Sequence, residues 1–186
     1  GIVASKGGTQ IVVYEGGSIS DITFLSGGGL QVSGGTVNST ILNSKGKMTV
    51  YAGGSVNNTT INSGTNMIVS ATGFANNTVV SSGGTLRIAN GTHRGSLMIE
   101  DGAVVSATGS GAIDFTLAGR NPNDGYLINN MALIAGSYSC TITVSSNQAL
   151  GTYKLAQGAE NFTGSITVGD GLTNYGSFPV YGSEIT

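Results

Sequence analysis

The chain is short of nearly everything that conventional site chemistry is built from. Its 186 residues hold one cysteine, one histidine, two prolines and no tryptophan. A lone cysteine, Cys140, excludes an intramolecular disulfide; this permits the cytosol and equally suits a bacterial surface protein that crosses membranes unfolded. Charged residues make up 9%, the formal net charge is −2, and no basic run occurs, which argues against nucleic acid or an anionic membrane surface as partner. No apolar stretch is long enough to span a bilayer, and the opening GIVASKGG lacks a basic-then-apolar leader. Segments with the Ala, Leu, Glu and Lys content of a helix are missing. A strict glycine at every third position is missing too, which excludes collagen.

What the chain has in quantity is glycine, 32 of them, set among Ser, Thr and Asn. Such composition suggests a linker, but 39% of residues are hydrophobic and net charge is low, so the chain is expected to fold. The glycines are periodic. Taking the second Gly of each pair as anchor gives Gly17, Gly35 and Gly54, and the matching positions are Gly73, Gly91 and Gly109, at spacings of 18, 19, 19, 18 and 18. Ser26, Ser44, Ser63 and Ser82 form a second register with the same period, and Asp101 stands next in line. The pentapeptide VSATG occurs twice, at 69–73 and 105–109. Internal repetition of this kind takes precedence over any single motif.

Within a period the apolar residues alternate. Ile11 and Val13, Leu30 and Val32, Met48 and Val50, Met67 and Val69, and Leu86 and Ile88 each share one strand face. A second set comes after each anchor: Ile19 with Ile22 and Phe24, Val37 with Ile41, Val56 with Ile61. A unit this small cannot stand alone. Burying its apolar side chains yields roughly 1.5–3 kcal/mol each, whereas ordering its backbone costs roughly 1–2 kcal/mol per residue. The deficit closes only when coils stack on one another through strand hydrogen bonds. The expected fold is therefore all-β: a parallel β-helix (β-solenoid) with 18–19-residue coils, about six of them over 1–119. At about 4.8 Å per coil the rod is roughly 29 Å long. With about five inward side chains per coil its interior is filled, so ligands meet only its outside. Stacking aligns equivalent residues, which sets Asn38, Asn57 and Asn76 to form one ladder and the serines another. Asn also tolerates the left-handed backbone that corners require.

After Gly119 the phrasing changes. RNPNDG at 120–125 reads as a junction. Longer alternation comes next in YSCTITVSS (138–146), TYKLAQG (152–158) and GSITVGDG (164–171). Cys140, Ile142 and Val144 would share one face, with Cys140 a small buried residue. Open strand edges at a rod's end need covering, so 120–186 is expected to be a β-rich C-terminal cap or a continuation in longer coils. SFPVYGSEIT gives no clear end, so the chain reads as a fragment.

Catalytic and metal chemistry finds little support. Nucleophilic catalysis needs a base beside Ser, Thr or Cys, and His93 falls in the repeat position of Ile19, Val37 and Val56, as a coil variation. One Cys and one His at no ligand spacing do not make a zinc site. Glu100 and Asp101 are adjacent, which on a strand sends them to opposite faces. Asp21 and Asp114 lie too many coils apart to act as a glycosidase pair. NPNDG and GDG read as turns rather than calcium loops, because the calcium nonapeptide is absent. The sequons at Asn38, Asn57, Asn58, Asn76, Asn90 and Asn161 reflect corner composition. No catalytic residue, cofactor or metal is expected.

The phrases GGSVNNTTINSGTNMIVSATG, GGTVNSTILNSKGKMTVYAGG and SSGGTLRIANG resemble the AIDA-type repeats of bacterial autotransporter adhesins, over about residues 7–110. The resemblance implies a right-handed β-helical passenger on the bacterial cell surface or outside the cell, mediating adhesion to host cells or their glycans, autoaggregation and biofilm growth. It also implies sugar on Ser or Thr, with candidate O-glycan acceptors Ser18, Thr36 and Ser55 and the register Ser26, Ser44, Ser63 and Ser82. The plain alternative for these hydroxyls is that they are turn and ladder residues. For the whole chain the alternative to an adhesin is a structural spacer or extracellular matrix component; a polysaccharide-degrading β-helix enzyme is a third reading. The membrane barrel of an autotransporter is not in this sequence, which leaves its export route open.

Overall fold

A computed structural model describes residues 1–160 and 162–168, together with the backbone of two short strands at Val180–Tyr181 and Glu184–Ile185. The GDG segment at 169–171 with its Asp170, and the sequon residue Asn161, lie outside the described residues, as does the side chain of Glu184.

The chain winds as a parallel β-solenoid of about six repeat coils, each of roughly 19 residues, with longer ones after them. Each repeat coil contributes one strand to each of two sheets. A nine-stranded sheet runs from Ile2–Ala4 through Ser18–Phe24, Thr36–Leu42, Ser55–Ile61, Phe74–Val80, Thr92–Ile99, Ala112–Thr116 and Ser139–Thr143 to Ile166–Val168. A seven-stranded sheet stacks Thr9–Tyr14, Gly28–Ser33, Lys47–Val50, Asn66–Ser70, Thr85–Ala89, Val104–Thr108 and Ile134–Gly136. Neighbours in both are parallel throughout. The only helical element among the described residues is one 3-10 turn, Met131–Leu133.

The expected columns are present. Val13, Val32, Val50, Val69 and Ile88 lie in one register, Ile11, Leu30, Met48, Met67 and Leu86 in another. All but the partly buried Ile11 are buried, and Val32, Val50, Val69 and Ile88 are fully so. Burial of this continuous apolar column supplies the driving force that no single coil can supply.

Three sequence expectations are corrected. The first concerns the strands Thr36–Leu42, Ser55–Ile61 and Phe74–Val80, which do not alternate along their whole length. Ser39, Asn58 and Asn77 have φ of 56°, 55° and 53°, and this left-handed residue reverses the inward–outward parity of the residues after it. Hence Val37 points inward, Thr40 points inward three positions later, and Ile41 faces solvent at 43% exposure. The threonines Thr40, Thr59 and Thr78 are core residues, each 1% exposed.

The second correction concerns the last anchor. Ala112 comes directly after Gly111 and pairs with Thr92, and its N–H donates to Gly91 O, so Gly111 stands above Gly91. Gly109 occupies the preceding turn. The two VSATG copies stack out of phase by two residues, since Val69 aligns with Ala107 rather than Val105. Coil-length variation is taken up at this glycine corner. It has four residues at 14–17, 51–54, 70–73 and 108–111, where the fourth N–H donates to the first carbonyl at 2.9–3.2 Å, and three at 33–35 and 89–91. The anchor glycine is required by contact: a Cβ on Gly54 would sit 2.5 Å from Val32 O.

The third correction concerns 120–125, which is no break in the stack. Asp114 pairs with Arg94 and Ile128 with Leu97, so 13 residues stand where the coil below has Gly95 and Ser96. The next coil repeats this, with Thr141 above Asp114 and Ala156 above Ile128. Both long coils depart from the left-handed corner and build a two-tiered lateral flange, with 120–125 at the tip of the lower tier. Gln148 Nε2 donates to Arg120 O at 2.9 Å, and Leu117 N–H to Thr143 O at 2.8 Å. Phe115, Leu117, Leu127, Ile142 and Leu155 are buried within these long coils.

Candidate functional site

With the repeat interior closed, chemistry is available on the corners and outer faces. The serine register occupies the second position of a four-residue turn: 25–28, 43–46, 62–65, 81–84 and, with Asp101, 100–103. Within these coils, unlike the glycine corner, it keeps one length; Phe24 to Leu30, Leu42 to Met48, Ile61 to Met67 and Val80 to Leu86 are the same step. The third turn residue has positive φ, which selects Gly27, Gly64, Gly83 and Gly102, with Lys45 the exception. Backbone bonds tie the turns vertically, as from Gly64 N to Gly83 O and Gly83 N to Gly102 O at 2.9 Å each.

Ser26, Ser44, Ser63 and Ser82 are all exposed, and no side-chain hydrogen bond engages their hydroxyls among the described residues. They do not form the expected hydroxyl ladder. In the upper pair each side chain leans over a glycine of the next coil instead: Ser63 Oγ lies 2.6 Å, and Ser82 Oγ 2.8 Å, from where a Cβ on Gly83 or Gly102 would stand. The register is thus a row of free hydroxyls.

Ser18, Thr36 and Ser55 form a column at the start of the larger sheet's strands, continued by Phe74 and Thr92. Only Ser18 is exposed; Thr36 and Ser55 are half-buried, and Ser55 Oγ accepts from Asn76 Nδ2 at 3.4 Å.

The amide ladder does form. Asn57 Nδ2 donates to Asn38 Oδ1 at 2.8 Å and Asn76 Nδ2 to Asn57 Oδ1 at 2.7 Å. These asparagines are ladder residues; the left-handed backbone falls on the next position. Sequence reading missed two further ladders, Asn62 to Asn43 at 2.7 Å and Asn77 to Asn58 at 3.4 Å.

Above Asn76 the column changes character. Arg94 lies 3.9 Å over the Phe74 ring, with its Nε 3.9 Å from Asp114 Oδ2. Asp114 is 4% exposed. Its Oδ2 accepts from Thr116 at 2.9 Å, and its Oδ1 from Thr141 at 2.9 Å and Thr143 at 3.0 Å. Three hydroxyl donors on one carboxylate brace the two flange tiers at their root. The sequence signal was the spacing of 27 between Asp114 and Thr141, which differs from the repeat period.

The remaining candidate residues are accounted for by the coil geometry. His93 is fully buried in the Val37–Val56–Ala75 column, has no partner on either ring nitrogen, and is held by desolvation at a pKa of about 4. The small Ala75 beneath it leaves room for the imidazole. Cys140 is buried above Ile113, and burial pushes its thiol up to about 12, far from thiolate reactivity at neutral pH. Glu100 and Asp101 stand in a turn rather than on a strand, with Glu100 Oε2 accepting from Ser82 N at 3.1 Å. Asp21 occupies the left-handed corner with φ of 58°. No group of three or more His, Cys, Asp or Glu suited to a metal exists among the described residues.

Among solved structures the chain is similar to a TibC-catalysed, hyper-glycosylated TibA55-350 fragment, with 26% identity and a TM-score of 0.58 over 84% of this chain. It spans 58% of that fragment's length. At the level of fold it resembles an autotransporter adhesin passenger. No protein-family model matches the chain, and no curated protein does.

Proposed function

We propose that this chain is a stretch of an adhesin-like passenger, displayed outside the cell or on a bacterial surface, that works through its exposed polar columns. The observation that carries the reading is the pairing of a filled repeat interior with unbroken rows of identical polar groups. Asn38–Asn57–Asn76, Asn43–Asn62 and the free serines Ser26, Ser44, Ser63 and Ser82 each repeat at one coil's rise. Many weak equivalent contacts in a row yield avidity without a deep site. The targets on this reading are host-cell surfaces or glycans, and other copies of the chain.

The likeness to a hyper-glycosylated neighbour extends the proposal to sugar attachment. Of the two candidate sets, Ser26, Ser44, Ser63 and Ser82 are the better acceptors, being exposed and unbonded. Thr36 and Ser55 are half-buried in a sheet column.

The experiment is surface display of the chain with coils deleted singly and in pairs, scored for cell binding and aggregation. The proposal expects both to fall gradually with coil number. Abrupt loss at one coil would replace the array with a single receptor site, and no binding at all would return the chain to a spacer or matrix role. Intact mass after expression in a glycosylating host, with and without alanine at the four serines, tests the acceptor assignment.

A further inference from the structure

The expectation of a pocketless column does not extend to the long coils. Where the two long coils return from the flange, Met131–Tyr138 of the lower, with Gly158, Ala159 and Phe162 to Gly164 of the upper, line a half-open cavity of about 380 Å³. This is within the range of small-molecule sites. It is a discrete site, and it rests on no part of the polar-column reading.

Its floor is apolar, with Met131 at 3% and Ile134 at 7% exposure. Two aromatic rings, Tyr138 and Phe162, form its walls and pack against the core. The backbone fixes them. Gly136, two residues before Tyr138, has φ of 96°, and a Cβ there would stand 2.1 Å from Ala107 O. Phe162 is set by a turn in which its N–H donates to Ala159 O at 2.9 Å, and its ring lies 2.9 Å from where a Cβ on Gly164 would be.

Polar capacity comes from hydroxyls alone. Ser137, Thr163 and Tyr138 line the cavity, and none of the three has a side-chain hydrogen-bond partner among the described residues. Among the described residues no lining side chain is charged. Burial, and then the neighbouring Cys140, push the Tyr138 phenol up to about 12, so it remains a neutral donor and acceptor.

An uncharged site with aromatic walls and unengaged hydroxyls selects a ligand that is apolar on its faces, polar around its rim and without net charge. A pyranose has that form: its axial C–H groups meet ring faces, while its equatorial hydroxyls exchange hydrogen bonds with Ser, Thr and Tyr. An anionic sugar would be left without a counter-charge. We infer that the cavity lined by Met131, Ile134, Tyr138, Ala159, Phe162 and Thr163 is a binding site for a neutral saccharide unit, gripped by Tyr138 and Phe162.

The test is saturation-transfer NMR on the full chain with the methyl glycosides of galactose, mannose and N-acetylglucosamine, and with glucuronic acid as charged comparison. The expected result is transfer to at least one neutral glycoside, strongest at its C–H face, and none to glucuronic acid. Phe162→Ala should abolish the signal, and Tyr138→Phe, which keeps the ring, should weaken affinity about 3- to 10-fold. Thr60→Val, at a distant position of the larger sheet outside the polar columns, should leave it unchanged. Absence of transfer to every neutral glycoside, preference for the acid, or undiminished transfer in Tyr138→Phe would each overturn the assignment. Circular dichroism establishes the fold of each variant, and the conservative Tyr138→Phe carries the test should Phe162→Ala unfold. Coil-deletion effects on aggregation that persist in Tyr138→Phe separate this site from the polar columns.

Discussion

Replacing Thr59 by Val should make the protein more stable, although it deletes a polar group from a chain that is rich in them. Thr59 is 1% exposed and its Oγ1 has no hydrogen-bond partner; Thr40 below it and Thr78 above are in the same state. Coils rise by about 4.8 Å, whereas a hydroxyl pair bonds at about 2.5–3.0 Å, so the three cannot satisfy one another along the column. A buried hydroxyl without a partner costs about 1–3 kcal/mol, and valine has the same shape without the hydroxyl. Thr59→Val is therefore expected to gain about 1–2 kcal/mol, a rise of about 2–8 °C in melting midpoint for a chain of this size. The measurement is thermal and urea unfolding monitored by circular dichroism, with outward-facing Thr60→Val as the control, expected within about 0.5 kcal/mol of wild type. A lowered midpoint in Thr59→Val would refute the reasoning, because it would mean that the hydroxyl is engaged and the column is not an apolar slot.

Gly54→Ala should destabilise by about 1–3 kcal/mol, since its Cβ would lie 2.5 Å from Val32 O, while Gly125→Ala, with open space around it, should change little; urea midpoints compare the two. His93 is buried neutral with a folded pKa of about 4 against 6.5 when free, so the unfolded chain binds the extra proton between these values. Stability from this residue is complete above pH 6.5 and is lost as pH falls toward 4, by about 3 kcal/mol at 1.36 per unit; His93→Leu should flatten that slope in urea titrations across the window. Asp114→Ala should strand the hydroxyls of Thr116, Thr141 and Thr143 at a cost of about 3 kcal/mol, and Asp114→Asn, which keeps an acceptor, should lose less. Hydrogen exchange should place the loosening in 115–127 and 142–155.

The architecture was legible because stacking forces equivalent positions into one register, and a register is a visible period. Val32, Val50 and Val69 and the Asn38–Asn57–Asn76 ladder could be placed from spacing alone. What escaped had no period of 18 or 19 to betray it. The inward turn of Thr40, Thr59 and Thr78 depends on the backbone sign of the preceding residue, which side-chain alternation does not report. Gly109 was mistaken for Gly111 because an identical pentapeptide outweighed a two-residue phase shift that only strand pairing exposes. The Asp114 brace and the cavity beside Tyr138 both arise where coils lengthen to 27 residues between Ile113 and Cys140, so their parts meet across distances that no short motif spans.

The two corners divide labour between novelty and constancy. At the glycine corner a residue enters or leaves without displacing a single strand, and at the left-handed corner 13 residues replace two with the column above still in phase. A lineage building on such a rod can therefore acquire new appendages by local insertion, with no compensating change elsewhere. Between Phe24 and Leu86 the serine turn keeps one length, and whatever reads that row meets the same spacing over those storeys.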